Sequence, residues 1–193
     1  MLRALLLAPP GAGKGTQGDR LAEAYDVPHL ATGDLLRQHV AEGTPVGLEA
    51  KRFMDRGELV PDRVVVDLVA RNLSGPEPLP GFVLDGFPRT LPQAKTAYDW
   101  GRAHDRTFHA VISLHVPEDE LVRRLLERGR RSGRTDDTDA TIRHRLAVYR
   151  ESTQPLLDFY RDRGVLIEVD GTGDVDEVTR RVRDALDPLV TPG

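Results

Sequence analysis

The chain has 193 residues, 39% of them hydrophobic, which suffices for one well-packed domain and is too short for two large ones. The absence of cysteine excludes a disulfide framework and a thiolate zinc site, leaving histidine and carboxylate side chains as its own possible metal ligands. A formal charge of -4 argues against general nucleic-acid binding, and without a signal-peptide pattern or an apolar run of about twenty residues a cytoplasmic protein is expected.

Residues 2–8 form a short apolar run that leads straight into PPGAGKGT. Gly11, Gly13 and Gly15 leave backbone N–H groups unscreened by Cβ atoms, and Lys14 adds a mobile positive charge. The turn opens a helix over 16–25 whose N-terminal dipole favours anions. A strand, a glycine-rich turn, a lysine and the hydroxyl of Thr16 in that order point to a nucleotide polyphosphate. Ala8 stands where the usual GxxxxGK pattern has its first glycine. It precedes Pro9, which confines it to extended backbone, and Pro9 and Pro10 stiffen the turn, so a pre-set loop is expected.

A short strand at 29–31 precedes consecutive helices over 33–72, broken at Gly43, Pro45, Gly57 and Pro61. After a connection at 74–81, the buried run 82–85 ends in Asp85 and turns through Gly86 and Pro88. An acid at a strand end beside a phosphate loop suits a hydrated magnesium ion. A helix at 90–102, a strand at 110–116, a helix at 118–129 and a polar loop at 130–137 follow. A helical segment at 138–163, a strand at 165–169 and a helix at 174–186 complete the chain. The main strands lack polar alternation and read as buried and parallel. The expected fold is α/β: a five-stranded parallel sheet in a three-layer P-loop NTPase arrangement, interrupted by a helical insert and a short lid.

Five stretches in order, GAGKGTQ (11–17), TGDLLR (32–37), GELV (57–60), DGFPRT (85–90) and GRTDDTDATIRHRL (133–146), resemble the adenylate kinase family over nearly the whole chain. The ordered set is specific to the adenylate kinase and UMP/CMP kinase group. The short 130–137 loop resembles the family's short-lid form, which lacks a zinc-bearing insertion. The resemblance implies a core of 1–31, 73–128 and 138–193, an AMP-binding insert of 32–72 and a lid of 129–137. It places ATP on Gly11, Ala12, Gly13, Lys14, Gly15 and Thr16, with Arg124, Arg128 and the backbone of Gly173. It places AMP against Thr32, Arg37, Glu58, Leu59, Val60, Gly86, Phe87, Pro88, Arg89 and Gln93, with Arg134 and Arg145. Lys14, Arg89, Arg124, Arg134 and Arg145 would stabilise the transferring charge, and Asp85 would hold Mg2+ through water. The implied activity is magnesium-dependent transfer between ATP and AMP, giving two ADP. The implied protein is a monomer without structural zinc, nucleic acid or membrane partner.

The residue chemistry agrees with these assignments. Arg37 and Arg89 can each fork onto a monophosphate, and Gln93 can pair with an adenine edge. Arg124 and Arg128 fall four apart, on one helical face. Motif position carries this argument, because of 27 basic residues only Lys14, Lys51 and Lys95 are lysine, and arginine alone selects little. Asp136 and Asp137 suit a helix cap or a lid arginine, and Gly43, Gly57, Gly129 and Gly133 suit hinges. His29, His39, His104, His109, His115 and His144 read as structural or surface residues, since an ionised phosphate needs no general base. Thr32 and Thr90 resemble the adenylate pattern, where the pyrimidine enzymes typically show Ala and Asn, so the resemblance implies AMP over a pyrimidine acceptor. A catalytically silent nucleotide-binding regulator is the reading from another class, motivated by Ala8 and the double proline, and the retained phosphate-facing arginines argue against it.

Overall fold

The computed structural model describes residues 1–74, 79–132 and 138–190. β1 (Arg3–Leu7), β2 (His29–Ala31), β3 (Phe82–Asp85), β4 (Ala110–His115) and β5 (Leu166–Asp170) form one parallel sheet in the order β2-β3-β1-β4-β5. Parallel neighbours require crossover connections. These contain α1 (Lys14–Tyr25), α2 (Thr32–Ala41), α3 (Pro45–Met54), α4 (Asp62–Leu73), α5 (Leu91–Ala103), α6 (Glu118–Ser132), α7 (Asp139–Val148) and α8 (Leu156–Arg161), with α9 (Val175–Leu186) after the last strand. No helix among the described residues is long and apolar enough to cross a membrane.

The central strand shows why the apolar runs do not alternate with polar residues. Leu2, Ala4, Leu6 and Ala8 enter a cluster with Leu21 of α1, Leu125 of α6, Ile142 of α7 and Val182 of α9. Leu5 and Leu7 point the other way, into a cluster with Leu36 of α2, Val65 and Leu68 of α4, Ala94 of α5 and Tyr160 of α8. Each fully buried leucine contributes about 2 kcal/mol of transfer free energy. The second cluster runs unbroken from the sheet through α2, α3 and α4, so these helices are packed on the core as well as on one another.

Strand order reverses at β1, with β3 on one side and β4 on the other. A crevice forms outside the carboxyl ends of strands at such a point. The register pairs Leu6 with Asp85 across β1 and β3, so the loops leaving these two strands emerge side by side.

Three elements differ from expectation by more than one residue. Helix α1 starts at Lys14, two residues early, because Gly13 takes the left-handed N-cap conformation at φ 91° and turns the chain at once. Helix α6 passes through Gly129 to Ser132, supported on its exposed face by an Arg131–Glu127 ion pair. The segment expected as one helix over 138–163 is α7, a π turn at Tyr149–Thr153 and α8. There the Gln154 N–H bonds the Tyr149 carbonyl at 2.8 Å, an i to i+5 bond that absorbs one extra residue just before Pro155, which has no N–H to give.

Candidate active site

A cleft of about 500 Å³ opens at the carboxyl ends of β1, β2 and β3, with walls from α1, α2, α6 and α7. The loop after β1 forms its floor. Gly11 and Gly13 have φ of 86° and 91°, and a Cβ on Gly11 would lie 2.9 Å from the Leu121 carbonyl oxygen and from Leu125 Cγ. Ala8 has no such requirement. Its backbone lies outside the positive-φ region, and the residue is 5% exposed within the apolar cluster, so alanine replaces the first glycine without distorting the turn. Lys14 Nζ folds back over the loop, donating to the carbonyls of Ala8 at 2.8 Å and Pro9 at 3.1 Å. Burial lowers its pKa to about 8; Asp85 opposes the shift, and Arg89, Arg145 and Arg128 add to it.

The loop after β3 forms the facing wall. Asp85 Oδ1 is buried without a hydrogen-bond partner among the described residues, while the Asp85 carbonyl accepts from the Thr32 hydroxyl at 2.5 Å. Gly86, at φ 82°, lets the chain pass Thr32: a Cβ there would lie 3.0 Å from the Thr32 hydroxyl oxygen. Arg89 is held at three points. Its Nε donates to the Gly86 carbonyl at 2.7 Å, its backbone N–H donates to Gln93 Oε1 at 2.7 Å, and its carbonyl accepts from the Thr153 hydroxyl at 2.8 Å. Burial lowers the pKa of this guanidinium, with Asp85 opposing and Arg145 and Arg37 adding to the shift. Half-buried Lys14 and the more exposed Arg89 therefore face the Asp85 carboxylate across adjacent strand ends.

Most of the expected residues line this cleft: Gly11, Gly13, Lys14, Gly15, Thr16, Thr32, Arg37, Glu58, Leu59, Val60, Asp85, Gly86, Pro88, Arg89, Gln93, Arg124, Arg128 and Arg145. Arg124 is oriented by Glu120 at 2.7 Å and by the Gly171 carbonyl at 3.3 Å, and Arg37 by Asp34. Three expected residues are not among those lining it. Ala12 is buried in the core beneath the loop, Phe87 is buried against the second cluster, and Gly173 sits beyond Gly171 at φ 96°. Arg134, Asp136 and Asp137 lie outside the described residues. None of the six histidines lines the cleft; His109, for one, accepts the Arg3 backbone N–H at 3.1 Å.

Sequence reasoning missed Thr153 and Tyr149, which the π turn brings to the cleft wall, and Asp62, which lies behind it. Burial pushes the Tyr149 hydroxyl up to about 12. Pro155 was the available signal for the break that aims them. For Asp62 there was none, because its partner Gln93 is 31 residues away.

The sequence model of the Adenylate kinase family matches residues 6–165. The chain belongs to that family. Among its relatives, the adenylate kinase of Nocardioides sp. (strain ATCC BAA-499 / JS614) is 47% identical over 188 residues, covering 97% of this chain and 98% of the relative. That of Xylella fastidiosa (strain M12) is 45% identical over 185 residues, covering 96% and 99%, and that of Trichodesmium erythraeum (strain IMS101) is 44% identical over 194 residues, covering 98% and 100%. The family model takes in both loops that face the cleft, and the relatives cover nearly the whole chain.

The family generally works on magnesium-bound nucleotide, and the donor set fits such an ion. Asp85 offers one buried, unpartnered carboxylate oxygen, and no group of three metal-ligating side chains occurs among the described residues. A single carboxylate suits an ion held mainly by phosphate and water.

Proposed function

We propose that the chain is an adenylate kinase, transferring the terminal phosphoryl group of ATP to AMP reversibly and forming two ADP. One observation carries this reading: Lys14 and Arg89, on loops from adjacent strands, converge with Arg37, Arg124, Arg128 and Arg145 on a single cleft, which provides for two phosphate chains. ATP takes the loop from Gly11 to Thr16, with Ala12 below it, Arg124 and Arg128 above and Gly173 at the adenine. AMP takes Thr32, Arg37, Glu58, Leu59, Val60, Gly86, Phe87, Pro88, Arg89 and Gln93. Arg145 spans the two, and Arg134, expected beside it, lies outside the described residues.

In the transfer, an ionised AMP phosphate oxygen forms a bond to the terminal phosphorus as the bond from that phosphorus to the bridging oxygen of ATP breaks. No proton has to be removed first, which agrees with a cleft that holds no histidine. The chain contributes alignment and charge: Lys14 leaves its loop carbonyls for the outer phosphates, and Arg89 neutralises the acceptor. Asp85 would hold, through water, a magnesium ion arriving with ATP, and that ion would supply further charge neutralisation. Residues 32–72 close over AMP about Gly43 and Gly57, excluding water; residues 133–137 of the expected lid lie outside the described residues. The protein acts as a cytoplasmic monomer.

A coupled assay with MgATP and AMP, UMP, CMP or GMP as acceptor tests the reading. Turnover strongly favouring AMP is expected. Turnover with UMP or CMP instead transfers the assignment to a pyrimidine kinase, and nucleotide binding without turnover overturns catalysis.

A further inference from the structure

Gln93 is 2% exposed, yet it forms part of the cleft wall. Its carboxamide faces two partners of fixed and opposite chemistry. Oε1 accepts the Arg89 backbone N–H at 2.7 Å, and Nε2 donates to Asp62 Oδ1 at 2.5 Å. A peptide N–H only donates and a carboxylate only accepts, so the amide has one allowed orientation. Turning it over would set NH2 against N–H and carbonyl oxygen against carboxylate, leaving buried polar groups unpaired. Asp62 is itself anchored. It is the first residue of α4 and also accepts the Thr90 hydroxyl at 3.2 Å, while Thr90 caps α5 by accepting the Gln93 N–H.

A carboxamide has two acceptor sites and two donor sites. The internal bonds use one of each and leave one of each. In the allowed orientation the remaining pair matches a base edge with an exocyclic donor beside a ring acceptor, which is the 6-amino group and N1 of adenine. A 6-oxopurine presents the reverse, a carbonyl acceptor beside an N1–H donor. We propose that Asp62 is a specificity-determining positioning residue: by fixing the Gln93 amide, it makes the acceptor site read a 6-aminopurine and reject a 6-oxopurine. The inference rests on the reading of Gln93 as the residue that faces the acceptor base.

AMP and IMP isolate this effect, because their bases differ only in this exchange of donor and acceptor. The wild-type protein is expected to favour AMP over IMP by about 10³-fold or more in kcat/KM. Asp62→Asn, which can offer a donor to a turned amide, is expected to lower that ratio about tenfold, losing AMP and gaining IMP. Asp62→Glu, which keeps a carboxylate, should hold the ratio near the wild-type value. If Asp62 only supports the fold, both nucleotides lose rate together and the ratio stays unchanged, which overturns the proposal. The ratio is independent of the fraction of protein folded. Gln93→Ala separates the two levels: a ratio that survives it removes Gln93 from base recognition. A ratio that collapses in Gln93→Ala but not in Asp62→Asn overturns the role of Asp62 alone. Should Asp62→Asn not fold, ¹⁵N spectra of the wild-type protein decide. One Gln93 side-chain amide proton protected from exchange supports the fixed amide, and two rapidly exchanging protons overturn it.

Discussion

The loops that leave β1 and β3 stand side by side and do similar electrostatic work by opposite means. Each delivers one cation with a lowered pKa toward Asp85. In the first loop everything is local: Gly11 and Gly13 supply the positive φ, and Lys14 rests on carbonyls five and six residues away. In the second, Arg89 is held by Gln93 and Thr153, and Gln93 by Asp62. A phosphate cradle made of backbone tolerates change wherever the backbone is ordinary. A cradle made of distant side chains transmits change from positions that never touch ligand.

The largest expected effect tests the local loop. Lys14→Met should reduce kcat by about 10³-fold or more, while circular dichroism shows an intact fold whose thermal midpoint at pH 7 is no lower than wild type. The sign follows from the lowered pKa. Burial penalises the charged amine, so the penalty is present below about pH 8, fades as pH rises toward the ordinary 10.5, and is absent from the methionine variant. Arg89→Ala should come next, with kcat/KM for AMP down by about 10²- to 10³-fold and the fold retained, because two of its three anchors are backbone groups. Near-normal turnover in either variant would remove that residue from the mechanism.

Thr153→Val tests the non-local loop. Losing the hydroxyl that holds the Arg89 carbonyl should lower stability by about 1 kcal/mol and raise KM for AMP more than KM for ATP, as read from unfolding curves and initial rates. An equal rise in both would show that the two loops are not separable. ATP binding should also draw a proton onto Lys14 in the range where the free amine is partly neutral. Calorimetry in buffers of different ionisation enthalpy should find uptake well above pH 8 that vanishes near pH 6. The smallest effect is Ala8→Gly: activity near wild type, with stability lower by about 0.5–1 kcal/mol, the entropic cost of a glycine that no positive φ requires.

The order of strands and helices and the phosphate loop were legible in the chain because they rest on short-range rules, while most other cleft residues were reached through the resemblance of their motifs to the family. Uninterrupted apolar runs mark strands covered on both faces, and Gly11, Gly13 and Lys14 mark a turn whose geometry is complete within a few residues. Tertiary structure alone decided the rest. The bond of Thr153 to the Arg89 carbonyl, the harmless seat of Ala8 in the core, the burial of Phe87 and the fixed orientation of Gln93 all depend on partners brought together from far along the chain. Local propensity sees only neighbours in sequence, whereas an amide's orientation and a cation's pKa are set by neighbours in space.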